Sequence, residues 1–224
     1  MWYSNCTMKL PKNSGFIPNP FDPRDVFEDE ILGGVDEPLP RQYRTEGLTF
    51  EPQGAWPFCV SMAVTKMVEF AVKKQTGIVH DLSQPHLFFH SGGSKVGSTF
   101  RGNLDTAKDK GCIHYMRCQM PVDLWDTSSF DSRRDSVLHT DFTEPQKILG
   151  YVRVSTAPEG LKRAIMRYGM VLTGVAASGG YWGDRAKRPA GRDDNNAVLL
   201  VGWEDDGAWV IFDSLQPSKD FKGY

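Results

Sequence analysis

The chain has 224 residues, with 26 basic and 28 acidic side chains, five histidines and four cysteines. A net charge of −2 with no long basic run argues against a dedicated nucleic-acid binder, and 40% hydrophobic with 12% aromatic content is too rich for a disordered chain. No run approaches the roughly 20 apolar residues that a membrane span needs, and the start of the chain lacks the basic-then-apolar pattern of a secretory leader.

Residues 1–37 are expected to form an extended arm, punctuated by Pro11, Pro18, Pro20, Pro23, Gly33 and Gly34, with at most one helical turn at 25–31. Phe16, Ile17, Phe21, Val26 and Phe27 give the arm apolar side chains for docking on a body, or for joining a protein assembly. Cys59–Lys74 is the strongest helix signal: Cys59, Met62, Ala63, Met67, Phe70 and Ala71 recur on one face, and Gly77 ends it. A second helix is expected over Gly102–Lys110, stopped by Gly111. Residues 121–140 show no clear period and are expected to be a connecting loop.

The texture then changes. Ile148–Val154 alternates like a strand, and Thr156-Ala157-Pro158-Glu159 has the form of a capping box opening a helix over Leu161–Tyr168, closed by Gly169. Met170–Ala176 is an apolar strand, followed by a Gly- and Arg-rich loop over Gly179–Asn195. Ala197–Trp203 and Ala208–Asp213 form two strands around the hairpin turn Asp205-Asp206-Gly207. Helices first and antiparallel strands second imply an α+β protein of two lobes, residues 38–140 mainly helical and 141–224 mainly β.

Cys59 begins its helix, where the dipole and unpaired backbone N–H groups favour thiolate. Gln53 precedes it by six residues, a position from which a side-chain amide can donate into an oxyanion hole. Taken alone, a cysteine in such a place is more often a small buried residue.

Several segments in order resemble the papain-like (C1-type) cysteine peptidases. They are Gln53-Gly54 with Cys59 and Ser61-Met62-Ala63, Leu82-Ser83-Gln84, Lys110-Gly111-Cys112-Ile113, Leu161–Val175, Asn196-Ala197-Val198 with Val201-Gly202-Trp203, Trp209–Leu215, and Gly223-Tyr224. The resemblance implies a papain-like two-lobe fold with an extended N-terminal arm. It makes Cys59 the nucleophile at the inter-lobe cleft and Gln53 the oxyanion donor. It also places Asn196 where the family has its catalytic histidine and Asp213 where the family has the residue that orients it.

The departures from the pattern matter. A carboxamide at 196 has no group that titrates near neutral pH and cannot take the thiol proton. Trp56-Pro57-Phe58 replaces a small flexible approach to the nucleophile, and Leu215 stands where the family has tryptophan. His80, His86, His90, His114 and His139 all lie elsewhere in the order, each more naturally a surface or core residue than a base. His86 and His90 have i, i+4 spacing without an evident third metal ligand. Cys112 and Cys118 could bridge only in an oxidising setting, and a reducing compartment is expected. Arg185, Lys187, Arg188 and Arg192 make a basic run beside the presumed cleft, most simply a solvated loop.

The expectation is therefore a catalytically impaired pseudopeptidase that binds peptide or protein through the inter-lobe cleft, or serves a structural role in an assembly. The alternative is an active thiol endopeptidase, if Asn196 is an engineered substitution of histidine or another histidine supplies the base. No cofactor, metal, nucleic acid or membrane partner is expected.

Overall fold

The computed structural model describes residues 15–20, 22–23, 25–27, 38–49, 51–54, 56–119, 127–177 and 195–215. Its elements run β1 (Phe16–Ile17), β2 (Tyr43–Arg44), α1 (Cys59–Thr76), α2 (Gln84–His90), β3 (Ser98–Thr99), α3 (Phe100–Asp109), α4 (Phe130–Leu138), α5 (Pro158–Tyr168), β4 (Val171–Val175), β5 (Asn196–Trp203) and β6 (Trp209–Phe212). Among the described residues no helix is long and apolar enough to cross a membrane.

The central helix α1 follows from its apolar spacing: Val60, Val64, Val68 and Val72 are buried in one row with Cys59. Gly77 closes it in the left-handed conformation, its N–H donating to the Lys73 carbonyl, and Lys73 and Lys74 complement the C-terminal dipole. Ser83 caps α2 by accepting from the His86 N–H, and Thr99 caps α3 by accepting from the Gly102 N–H. Helices α2 and α3 pack on α1, which also packs on β5.

All eight residues of β5 are buried, as its unbroken apolar run from Ala197 to Val201 requires. It pairs antiparallel with β4 from Val175↔Asn196 to Val171↔Leu200, with β6, and at its far end with β2. A register shift between Leu200 and Gly202 interrupts the β5–β6 ladder. The hairpin closes at Gly207, whose N–H donates to the Glu204 carbonyl over 3.0 Å. The mix of helices and antiparallel sheet is the α+β class expected.

Three expectations are corrected. Residues 130–138 are helix α4 rather than loop, anchored by buried Phe130 and Val137 among polar neighbours that hide the period. Ile148–Val154 is not a strand: Leu149 is fully exposed, and the segment's one ladder contact is the isolated Phe27↔Arg153 bridge. The capping box does not form. Helix α5 starts at Pro158 with Ala157 as an extended N-cap and no side-chain cap, because a residue before proline avoids the helical region. Cys112 and Cys118 are free buried thiols. The arm's helical turn lies largely outside the described residues, as do the loop over 178–194 with its basic run and the terminal Gly223-Tyr224.

Candidate functional site

Of the four sequence-predicted site residues, Asn196 and Asp213 are hydrogen-bonded to each other, and Gln53 is bonded to Ser214, the neighbour of Asp213 in the chain. Gln53 is fully buried where the chain approaches α1. Its Oε1 accepts from the Ser214 hydroxyl at 2.7 Å, its backbone N–H donates to the Ser214 carbonyl at 3.1 Å, and its Nε2 donates to the Trp56 carbonyl at 2.7 Å. Asp213, one residue earlier, is 1% exposed. Its Oδ1 accepts from the Leu215 N–H at 3.0 Å and its Oδ2 from Asn196 Nδ2 at 3.1 Å. The Asn196 carboxamide thus donates to the Asp213 carboxylate much as an imidazole N–H would. Its other end differs: Asn196 Oδ1 is buried and makes no hydrogen bond among the described residues. An imidazole would offer a titratable nitrogen from this position, and a carboxamide does not.

Cys59 is the first residue of α1, fully buried, in the same core cluster as Ala197 beside Asn196. Trp56 and Phe58 before it stack at 5.1 Å and turn into an aromatic cluster with Phe88 and Phe89. Crowding next to the thiol comes instead from the arm. Strand β1 pairs in parallel with β3, and Gly15 lies against Pro57 so closely that a Cβ there would fall 2.1 Å from the Pro57 oxygen. Gly15 also has φ +107°, so only glycine serves at that position. Phe16 is 6% exposed, stacks on Phe100 at 4.3 Å and shares the Cys59 cluster. It reaches the sheet where Gly174 has no side chain, since a Cβ there would meet its ring at 2.4 Å.

Farther along, Asp25 ties the arm to both halves. It accepts from Arg101 of α3 at 2.8 Å and lies 3.4 Å from Arg153, ahead of α5.

Behind the site is a network the sequence reading missed. Lys66 Nζ lies 2.6 Å from both Glu51 Oε1 and Glu69 Oε2, Gln84 Nε2 donates to Glu51 Oε2 at 2.6 Å, and the Leu82 N–H donates to Glu69 Oε1 at 2.9 Å. Burial pushes the Glu69 carboxyl up to about 7 against the pull of Lys66. Glu51, Glu69 and Asp81 are close enough to hold a cation, but the Lys66 ammonium already bonds two of the three. Two charges at i, i+3 on the buried side of an apolar helix were the signal. Glu51 lies two residues from Gln53, so the network fixes the segment carrying that amide.

Four of the histidines lie in the helical half, and among the described residues His86 Nδ1 and His90 Nε2 are buried without a hydrogen-bond partner. His86 and His90 lie 4.3 Å apart against Phe142, and burial lowers His86 to about 4. His114 Nδ1 accepts from the Met116 N–H, and His139 Nδ1 bonds the Asp135 carbonyl.

A long helix opening on a cysteine, packed on an antiparallel sheet that presents residues 196 and 213 beside it, is the papain-like fold, and solved structures bear this out. Xylellain, a cysteine protease from Xylella fastidiosa, superposes with a TM-score of 0.76 at 18% identity over 92% of this chain and 86% of that one. Digestive procathepsin L 3 of Tenebrio molitor gives 0.67 at 18% identity over 84% and 64%. The cysteine protease and lectin-like domains of Cwp84, a surface layer associated protein of Clostridium difficile, give 0.67 at 20% identity over 95% and 51%. The chain therefore spans about half to two-thirds of the last two. No family model matches the sequence, and no curated protein does.

Proposed function

We propose that this protein is a papain-fold pseudopeptidase, which uses its inter-lobe surface to hold a peptide or protein segment rather than to hydrolyse one. The observation that carries the reading is the Asn196–Asp213 hydrogen bond of 3.1 Å. A carboxamide fills the place from which a base would act, and it can neither take the Cys59 proton nor return it to a leaving amine. The full burial of Cys59, in a core cluster that includes Phe16 of the arm, supports the same reading. The β1–β3 pairing illustrates the mode of recognition, since an extended segment adds backbone hydrogen bonds that need no catalytic base.

The test is alkylation of Cys59 by iodoacetamide across pH 5–9, alongside a peptide-hydrolysis assay, in the natural chain and in Asn196→His. The expected result is no turnover in the unaltered chain, with alkylation that extends to lower pH in the variant than in the unaltered chain. Turnover by the natural chain that is lost in Cys59→Ala would refute the reading and make the protein a thiol peptidase drawing its base from another histidine.

A further inference from the structure

A second polar site lies on the helical half. A cavity of about 210 Å3 opens between the 3-10 turn at Tyr115–Arg117 and α4, and its polar lining is Arg117, Gln119, Arg133, Ser136 and Thr140. It shares no lining residue with the small cavity beneath β5.

The two arginines set its chemistry. Arg133 is held in place: its Nε donates to Ser129 Oγ at 3.2 Å and its guanidinium lies 5.9 Å over the Trp56 ring. Arg117 is exposed at the rim. Among the described residues neither guanidinium is in an ion pair, although the acidic residues of α4 are used: Asp131 pairs with Lys95 and Arg134, and Asp135 with Arg134. Asp141 is the carboxylate that Arg117 influences, and hydrogen bonds from Thr143 hold its carboxyl low more than Arg117 does. Two cations, two hydroxyls and an amide therefore line one opening, with Gln119 Nε2 also donating to Met116 Sδ at 3.0 Å and the Thr140 hydroxyl to the Cys118 thiol.

We propose that this pocket binds the phosphoryl group of a small phosphorylated ligand. A carboxylate presents two oxygens and one negative charge. A phosphomonoester presents three oxygens and close to two charges at neutral pH, which matches two guanidiniums flanked by further donors. The volume is below the range of pockets that enclose a whole drug-sized ligand, so the anionic head enters and the rest of the molecule remains outside.

The test is isothermal titration of the full chain at low ionic strength with inorganic phosphate, with citrate as a second titrant. Saturable binding of one equivalent of phosphate is expected, weakened at least tenfold in Arg117→Gln and in Arg133→Gln and unchanged in Lys95→Gln. Because Arg133 also packs on Trp56, the exposed Arg117→Gln decides the matter, with a thermal melt to show that it folds. Absence of saturable binding, equal binding by Arg117→Gln, or citrate binding as tightly as phosphate would each overturn the proposal.

Discussion

Replacing Phe16 with alanine is expected to uncover Cys59 while leaving the helices and sheet in place. The thiol is fully buried in the same core cluster as Phe16, itself 6% exposed, so lifting of the arm is one motion that opens the cluster around it. Burying a phenylalanine side chain is worth about 1.5–3 kcal/mol. At about 1.4 kcal/mol per factor of ten, its loss raises the population of the lifted arm roughly 10- to 150-fold. Where the arm recloses faster than the reagent reacts, the labelling rate follows that population. The assay is iodoacetamide labelling with mass spectrometric readout of the Cys59 and Cys118 peptides. Cys118 is the internal control: it is buried in a different cluster, with Phe58 and Phe88, and burial pushes its thiol up, so it stays slow in both proteins. Gly174→Val is expected to act in the same direction with Phe16 intact, since its side chain would occupy the space of the ring. Unchanged Cys59 labelling, or a parallel rise at Cys118 that signals general unfolding, would refute the reasoning.

Ser214→Ala leaves Gln53 Oε1 buried without its 2.7 Å donor and is expected to cost about 1–3 kcal/mol in urea melts. Glu69 has its carboxyl raised from 4.5 to about 7, so between those values the folded state holds a proton that the unfolded state releases. Stability is therefore lost as pH rises through this window, by at most about 3 kcal/mol, and Glu69→Gln flattens the profile in melts at pH 5 and 7.5. Asp25→Asn removes the acceptor shared by Arg101 and Arg153. Limited proteolysis should cut the arm faster in that variant, and added salt should bring the unaltered protein toward the same rate because Arg153 is half exposed.

How much could be seen in advance depended on where each signal resides. Helix α1 and strands β4 to β6 were legible because an apolar row or run covers each of them and a turn residue such as Gly77 or Gly207 stops it. Helix α4 was not, because only Phe130 and Val137 anchor it, and two apolar residues seven apart make no period. The alternation at Ile148–Val154 imitated a strand, but alternation is only half of a strand; the other half is a partner edge, and the one contact that segment makes is a single bridge. At the site, Gln53, Asn196 and Asp213 were legible as types in a known order. The role of Ser214 was not, since its hydrogen bond to Gln53 spans most of the chain and leaves no local mark, and the Glu51–Lys66–Glu69 network showed itself only as two charges three residues apart on an apolar helix. Nor could the arm's apolar residues announce that Phe16 would settle where Gly174 leaves space.

The Asp25 contacts have a consequence for how the molecule comes apart. One carboxylate separates two guanidiniums that belong to opposite halves of the chain, Arg101 in α3 and Arg153 ahead of α5. Removing the arm subtracts more than a covering: it leaves two like charges facing each other across the seam, where the same arithmetic that attracted now repels. The arm and the seam accordingly share one degree of freedom. Whatever draws the first segment away also presses the two halves apart, and whatever wedges the halves apart loosens the arm.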